Sequence, residues 1–312
     1  MRALVTGGAG FIGSHLVDAL LARGDEVAVV DDLSTGRIEN LEAALEAGAT
    51  FDRLDIRDGD AVGAAFAAAG PELVFHLAAQ MDVRRSLVDS AFDASVNVVG
   101  TINVLEAAHS SGARRLINAS TGGAIYGETE VMPTPESVVP APVSAYGQSK
   151  QCAELYCAWA ARARGLETVT LRCGNVYGPR QDPGGEAGVI AIFAGRLLSG
   201  EQPTVFGDGS ARRDYSFVSD IVAANLLAAG QPSPGGPYNI GTGIDSSVLE
   251  LIEAIDAAAA PGEAPLDPLF AASREGELQR SSLDVTLARE ELGFSAATDL
   301  QTGVAATVAA LR

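Results

Sequence analysis

Thr6-Gly7-Gly8-Ala9-Gly10-Phe11-Ile12-Gly13 follows a short apolar run, Ala3-Leu4-Val5, that has the character of a buried strand. Behind it, Ser14-His15-Leu16-Val17-Asp18-Ala19-Leu20-Leu21 carries apolar residues at helical spacing. Strand, glycine turn and helix in that order form the setting of a dinucleotide-binding loop. The glycines allow a tight turn and let a pyrophosphate approach without meeting a Cβ. Free N–H groups and partial positive charge at the helix N-terminus then face the phosphates. Glu26-Val27-Ala28-Val29-Val30-Asp31 reads as the second strand and ends in a carboxylate 18 residues after Gly13. A carboxylate there accepts hydrogen bonds from the adenosine ribose hydroxyls and repels a 2′-phosphate, which favours NAD over NADP. Asp32 adds a second negative charge, and the nearest basic residue that follows is Arg37.

Outward from the loop, strand and helix patterns alternate. Strands are expected at 2–6, 26–30, 50–53, 73–77, 114–119 and 167–172, and helices at 11–23, 58–69, 91–111 and 146–164. The alternation predicts an α/β fold, a Rossmann-like doubly wound parallel sheet covered by helices on both faces. After about residue 175 the texture changes. A loop, Gly178-Pro179-Arg180-Gln181-Asp182-Pro183-Gly184-Gly185, precedes helices near 188–199, 218–229 and 246–259, the turn Phe206-Gly207-Asp208-Gly209 and a Pro-rich stretch at 261–268. These pieces are too interrupted for a second doubly wound sheet. They predict a smaller C-terminal α/β substrate-binding cap over 176–312, interleaved with an NAD-binding domain over 1–175. It should sit at the carboxyl edge of the sheet, where open α/β sheets bind ligands.

The 312 residues suffice for two such units, and 47% hydrophobic content supplies a large core. A net charge of −19 argues against nucleic-acid or anionic-membrane partners, which need basic surface. Cys152, Cys157 and Cys173 show neither metal spacing nor a disulfide framework. His15, His76 and His109 are scattered, so no metal is expected. No charged-then-apolar leader precedes Leu4 and no run approaches ~18 apolar residues, so a soluble cytoplasmic protein is expected.

Tyr146-Gly147-Gln148-Ser149-Lys150 opens a helical pattern, so Tyr146 and Lys150 share one face at i and i+4. A phenol with a pKa near ~10 is a poor base at neutral pH. A fixed ammonium at ~4 Å, in an effective dielectric of ~20, attracts the phenolate by about 4 kcal/mol. That amounts to roughly three pK units before desolvation and predicts a tyrosine poised for general acid–base work.

Taken together, Thr6–Gly13, Asp31, Asp55-Ile56, His76-Leu77-Ala78-Ala79, Asn97, Tyr146 and Lys150 resemble the extended short-chain dehydrogenase/reductases. Within that superfamily the chain is most similar to NAD-dependent nucleotide-sugar epimerases of the UDP-glucose 4-epimerase type. Supporting motifs are Ser120-Thr121-Gly122-Gly123-Ala124-Ile125-Tyr126-Gly127, Gly174-Asn175-Val176-Tyr177-Gly178-Pro179-Arg180-Gln181-Asp182-Pro183 and Arg212-Arg213-Asp214-Tyr215, over residues 2 to about 310.

The resemblance implies a hydride shuttle through a transient 4-keto sugar. Tyr146 would remove the proton of the 4-hydroxyl, and Lys150 would hold the nicotinamide ribose and tune Tyr146. Gly7, Gly10, Phe11, Ile12, Gly13, Asp31, Asp32, Asp55, Ile56, Leu77, Ala78, Ala79, Asn97 and Ser120 would line the cofactor. Thr121, Gly122, Asn175, Val189, Arg213 and Arg274 would meet the UDP-sugar, and Ser281 falls where the family tunes sugar selectivity. A homodimer through the helices at 91–111 and 146–164 is implied as well.

One departure stands out. The family's catalytic Ser or Thr, four residues before the tyrosine matching Tyr126, is here Gly122. Thr121, one residue earlier, is the nearest hydroxyl that could take its place. The acids that dehydratases place beside that hydroxyl are here Gly123 and Ala124, and the decarboxylases' glutamate in this stretch is absent too. Asp182 stands where an arginine would meet a uronate. UDP-glucuronate and UDP-N-acetylhexosamine 4-epimerases remain the alternatives, ahead of a dehydratase or a non-catalytic NAD-binding regulator.

Overall fold

A computed structural model describes residues 1–184, 188–230, 235–259, 267–273 and 278–312. Six short runs form β1 (Arg2–Thr6), β2 (Glu26–Asp31), β3 (Thr50–Arg53), β4 (Leu73–His76), β5 (Arg115–Thr121) and β6 (Glu167–Cys173). Beyond them come β7 (Asn175–Tyr177), β8 (Thr204–Phe206), β9 (Arg212–Phe217), β10 (Tyr238–Ile240), β11 (Asp245–Ser247), β12 (Leu269–Ala271) and β13 (Arg280–Ser281). The main sheet runs β10-β6-β5-β4-β1-β2-β3, all parallel. Strand order reverses beside β1, which is where such sheets bind dinucleotides. Both faces are buried. Val5 joins Leu16, Leu20 and Ile221 on one side, and Leu4 joins Phe66, Val104 and Leu116 on the other. The expected doubly wound fold is therefore present.

Two features depart from the expected elements. The seventh strand, β10, was not foreseen. It is only three residues long, but it pairs Tyr238 with Leu171 and Ile240 with Cys173. The helix Val218–Gly230 packs on the helix Phe11–Ala22, so two elements from beyond residue 175 belong to the main sheet's own layers. The other departure is the expected helix at 91–111, which is not continuous. A helix Ser90–Ala94 passes into a π-helical turn Ser95–Gly100 and then into the helix Thr101–Ser110. Gly100 sits so close to Ile56 that a Cβ would meet its Cδ1 at 2.6 Å.

The C-terminal part of the chain contributes a small sheet in which β9 pairs with β7, β11 and β13, and a separate pair, β8 with β12. Its own core gathers Tyr177, Phe193, Val205, Leu251, Ile255 and Val304.

A polar chain crosses one face of the main sheet. The Thr101 hydroxyl donates to the Asn97 carbonyl (2.7 Å), so it accepts from His76 Nε2 (3.0 Å), and His76 Nδ1 accepts from Thr6 Oγ1 (2.8 Å). Burial lowers the His76 pKa to about 3, so the imidazole is neutral. The unfolded chain takes up a proton near pH 6.5 that the folded chain refuses until about pH 3. Stability is thus expected to fall as the pH drops through that window. Urea midpoints at pH 7.5 and pH 5 check this, and His76→Gln should flatten the decline.

Candidate active site

At the carboxyl ends of β1, β2, β4, β5 and β6 lies a cleft of about 1390 Å³, bounded on its far side by residues from the C-terminal part of the chain. Gly7, Gly10, Phe11, Ile12 and Gly13 line it. Gly7 takes φ +71°, and a Cβ there would stand 2.6 Å from Ala78 N. A Cβ on Gly13 would stand 2.1 Å from Gly7 O. Side chains at these positions would fill the cradle, so the loop fits a pyrophosphate against the helix N-terminus. Asp31 accepts from Ala9 N (3.0 Å) and Leu33 N (2.8 Å), so its carboxylate also braces the loop, and burial raises its pKa. Asp32, Asp55, Ile56, Leu77, Ala78 and Ala79 complete this end. Asp55 is held by the Arg57 guanidinium, which keeps its carboxyl below the usual range.

Asn97 and Ser120 behave differently from simple liners. Asn97 does not reach the cleft wall. It is buried, exchanging hydrogen bonds with the Gln80 backbone (2.9 and 2.8 Å) and donating to Asp93 Oδ1 and Ser149 Oγ (both 3.1 Å). It therefore fixes the wall between β4 and the Tyr146 helix from behind. Ser120 reaches the wall, but its hydroxyl donates to Glu154 Oε1 at 2.6 Å, and Glu154 is paired with Arg172.

The helix Ala145–Arg164 is capped by Ser144, whose side chain accepts from Gly147 N (3.1 Å), and its first turn is pinned where Tyr146 N donates to Ser86 Oγ (3.0 Å). Tyr146 and Lys150 both face the cleft, one turn apart. Lys150 Nζ donates to Ala119 O at 2.9 Å, and burial pulls its pKa down to about 8. For Tyr146 the expected direction is reversed. Desolvation of the hydroxyl dominates and raises its pKa above the ordinary value, while a hydrogen bond with Thr121 lowers it. The Lys150 ammonium is turned to β5, where Ala119 O accepts from it.

Thr121 ends β5 and meets Tyr146 in the cleft. Gly122 lies behind that wall, where a Cβ would fall 2.5 Å from Leu283 Cδ1. Leu283 fills the space a serine would need, and the hydroxyl set against Tyr146 is that of Thr121. Thr121→Val should cut turnover about 30-fold while leaving NAD bound, the loss of about 2 kcal/mol expected for a hydrogen bond to a group that becomes charged. Gly122→Ser should not replace it and should destabilise by about 1–3 kcal/mol through overpacking. Steady-state rates and thermal melts of the two variants check both.

On the substrate side Asn175, Val189 and Arg213 line the cleft, and Arg213 Nη1 also donates to Arg212 O (2.9 Å). Arg274 lies outside the described residues. Ser281 is buried in β13, beside Arg213 in register, and does not reach the cleft. Sequence reasoning missed Gln181, Arg196, Phe206 and Tyr215, which complete this wall from separate elements. Tyr215 lies on β9, which pairs with β7 just ahead of the loop carrying Gln181, while Arg196 comes from the helix Val189–Leu198 and Phe206 from β8. Among the described residues no three His, Cys, Asp or Glu stand together as metal ligands, and no helix is long and apolar enough to cross a membrane.

A glycine cradle, a carboxylate at the end of β2 and a Tyr–Lys pair across the same cleft define a dinucleotide-dependent enzyme with an internal acid–base group. The chain belongs to the NAD-dependent epimerase/dehydratase family, whose family model matches residues 3–241. It is 48% identical to the UDP-glucose 4-epimerase of Mycolicibacterium smegmatis, over 99% of this chain and 97% of that protein. The crystal structure of UDP-glucose 4-epimerase from Thermotoga maritima, with UDP-glucose, superposes with a TM-score of 0.94 at 44% identity, covering 99% of this chain and 98% of that one. The Thermus thermophilus UDP-glucose 4-epimerase complex with NAD gives 0.91 at 44% identity, covering 100% and 99%.

Proposed function

We propose that the protein interconverts UDP-glucose and UDP-galactose by epimerisation at C4, with NAD as its resident cofactor. The observation that carries this reading is the make-up of one wall. Thr121, Tyr146 and Lys150 face the cleft, while Gly123 and Ala124 stand where an elimination would need acids. When bound, NAD supplies reversible hydride acceptance at C4. Tyr146 takes the proton of the 4-hydroxyl and returns it after the sugar has turned. Thr121 aligns that hydroxyl and the phenol. Lys150, with a pKa of about 8 and held on Ala119 O, is the cation that steadies the phenolate once the proton has moved. Arg213 and Asn175 hold the diphosphate end, a task suited to a guanidinium in an otherwise acidic chain.

UDP-glucuronate is the less favoured substrate. Asp182, where a uronate site would want a cation, is itself paired with Arg37 at 3.1 Å. The test is conversion of UDP-glucose, UDP-galactose, UDP-glucuronate and UDP-N-acetylglucosamine by pure protein, each alone. Interconversion of the first two is expected. Turnover of UDP-glucuronate without them would overturn the hexose assignment.

A homodimer also fits. Val99 on the π-helical turn and Leu155, Tyr156 and Trp159 on the helix Ala145–Arg164 are exposed, giving the two elements an apolar outer face. Gel filtration at micromolar concentration should show twice the 31.9 kDa chain mass. An intracellular setting is supported by Cys152, Cys157 and Cys173, all three free thiols.

A further inference from the structure

The loop after β7 carries contacts that the chemistry does not use. From Pro179 to Asp182 it runs beside the cleft, and three of its four residues are tied to the dinucleotide half. His15 Nε2 donates to Pro179 O at 2.8 Å, Arg180 pairs with Asp18 at 2.8 Å, and Asp182 pairs with Arg37 at 3.1 Å. His15 and Asp18 lie on the helix that opens at the glycine loop, and Arg37 N donates to Ala9 O (3.0 Å), inside that loop. The fourth residue, Gln181, faces the cleft. Its Nε2 donates to Val176 O (3.1 Å), and its Oε1 is buried without a partner. Arg180 holds φ +66°, a left-handed conformation that a residue with a side chain adopts at a cost. A segment held in such a conformation by ties at three points is a built feature.

We propose that Asp18, Arg37 and Asp182, with His15 and Arg180, form a strap that retains NAD by holding residues 179–182 against the glycine-loop helix. The proposal deepens the epimerase reading and rests on it, because a hydride that is lent and recovered requires the cofactor to stay through turnover. No single tie is strong. Arg37 and Asp182 are 62% and 49% exposed, and such pairs contribute little alone. The cofactor, however, can leave past the strap only when all three ties are open together, so their effects multiply in the release rate.

The test uses holoenzyme stripped of free NAD on a desalting column. Released NAD is trapped by alcohol dehydrogenase and ethanol and read as absorbance. Asp182→Asn is expected to release NAD about threefold faster, the size of one exposed ion pair. The triple variant Asp18→Asn/Arg37→Gln/Asp182→Asn is expected to release it at least tenfold faster, with kcat for UDP-glucose restored by saturating NAD. The swap Arg37→Glu/Asp182→Arg should return release to within about twofold of wild type. Raising NaCl from about 0.05 to about 0.5 M should speed release from wild type more than from Asp182→Asn. Wild-type release from the triple variant, or a swap as fast as Arg37→Glu alone, would overturn the proposal. Should the triple variant not fold, the salt comparison decides, and equal salt sensitivity of wild type and Asp182→Asn would overturn it. The assay contains no sugar, so failure of UDP-glucose to turn over strikes the substrate assignment and leaves the strap result standing.

Discussion

Tyr146→Phe should lose epimerase activity by about 10³-fold while keeping its bound NAD and its melting temperature. The substitution removes one oxygen and leaves the ring in place on the first turn of the helix Ala145–Arg164, where backbone contacts to Ser86 and Ser144 are untouched. What disappears is the group proposed to take and return the proton of the sugar hydroxyl, together with its hydrogen bond to Thr121. Losses of about 10²–10⁴ follow removal of a general acid–base group. The middle of that range is expected here, since Tyr146 is the cleft phenol that hydrogen-bonds Thr121. Absorbance of the purified variant reads its NAD content, and a coupled assay reads turnover. Activity within tenfold of wild type would remove Tyr146 from its role.

Gly13→Ala has the largest expected effect on the fold. A methyl there would sit 2.1 Å from Gly7 O and 2.8 Å from Gly8 Cα. Both are backbone atoms of the same turn and cannot step aside as a side chain would. Relief requires opening the turn, which also frees Asp31 from Ala9 N and breaks the cradle. A loss of about 3 kcal/mol or more is expected, with no NAD retained after gel filtration. Gly63→Ala provides the control. Nothing lies within 4 Å of its Cβ site in the helix Gly59–Ala69, so a neutral or slightly stabilising change of about 0.5–1 kcal/mol is expected.

What could be read in advance divides along a physical line. The glycine loop, Asp31 and the Tyr146–Lys150 spacing are local. Each needs only its own strand or helix to be recognised, and β1, β2 and β4 follow from short apolar runs. Features fixed by tertiary approach were not legible. β10 is three residues between Pro237 and Gly241 and becomes a strand only by pairing with β6. Gly122 looks like a lost catalytic residue until Leu283, far along the chain, is found in its place. Asn97 matches a family motif, yet it acts from behind the wall because the π-helical turn at 95–100 aims it at Gln80 and Asp93. The Tyr146 shift runs opposite to the direction helix spacing predicts, for a related reason. Spacing on a helix says how near an ammonium can come, but not that Ala119 O claims it or that burial of the phenol outweighs it. The ties of Pro179, Arg180 and Asp182 to His15, Asp18 and Arg37 join residues more than a hundred positions apart.

The central claim is that the C4 hydrogen is lent to the cofactor and returned within one site, with Tyr146 moving only a proton. UDP-glucose carrying deuterium at C4, incubated with holoenzyme in ordinary water to equilibrium, tests it by NMR or mass spectrometry of the product. UDP-galactose with the deuterium still at C4 is expected, with no reduced cofactor accumulating in solution. Deuterium washed out to solvent, or a keto sugar as the end product, would contradict it.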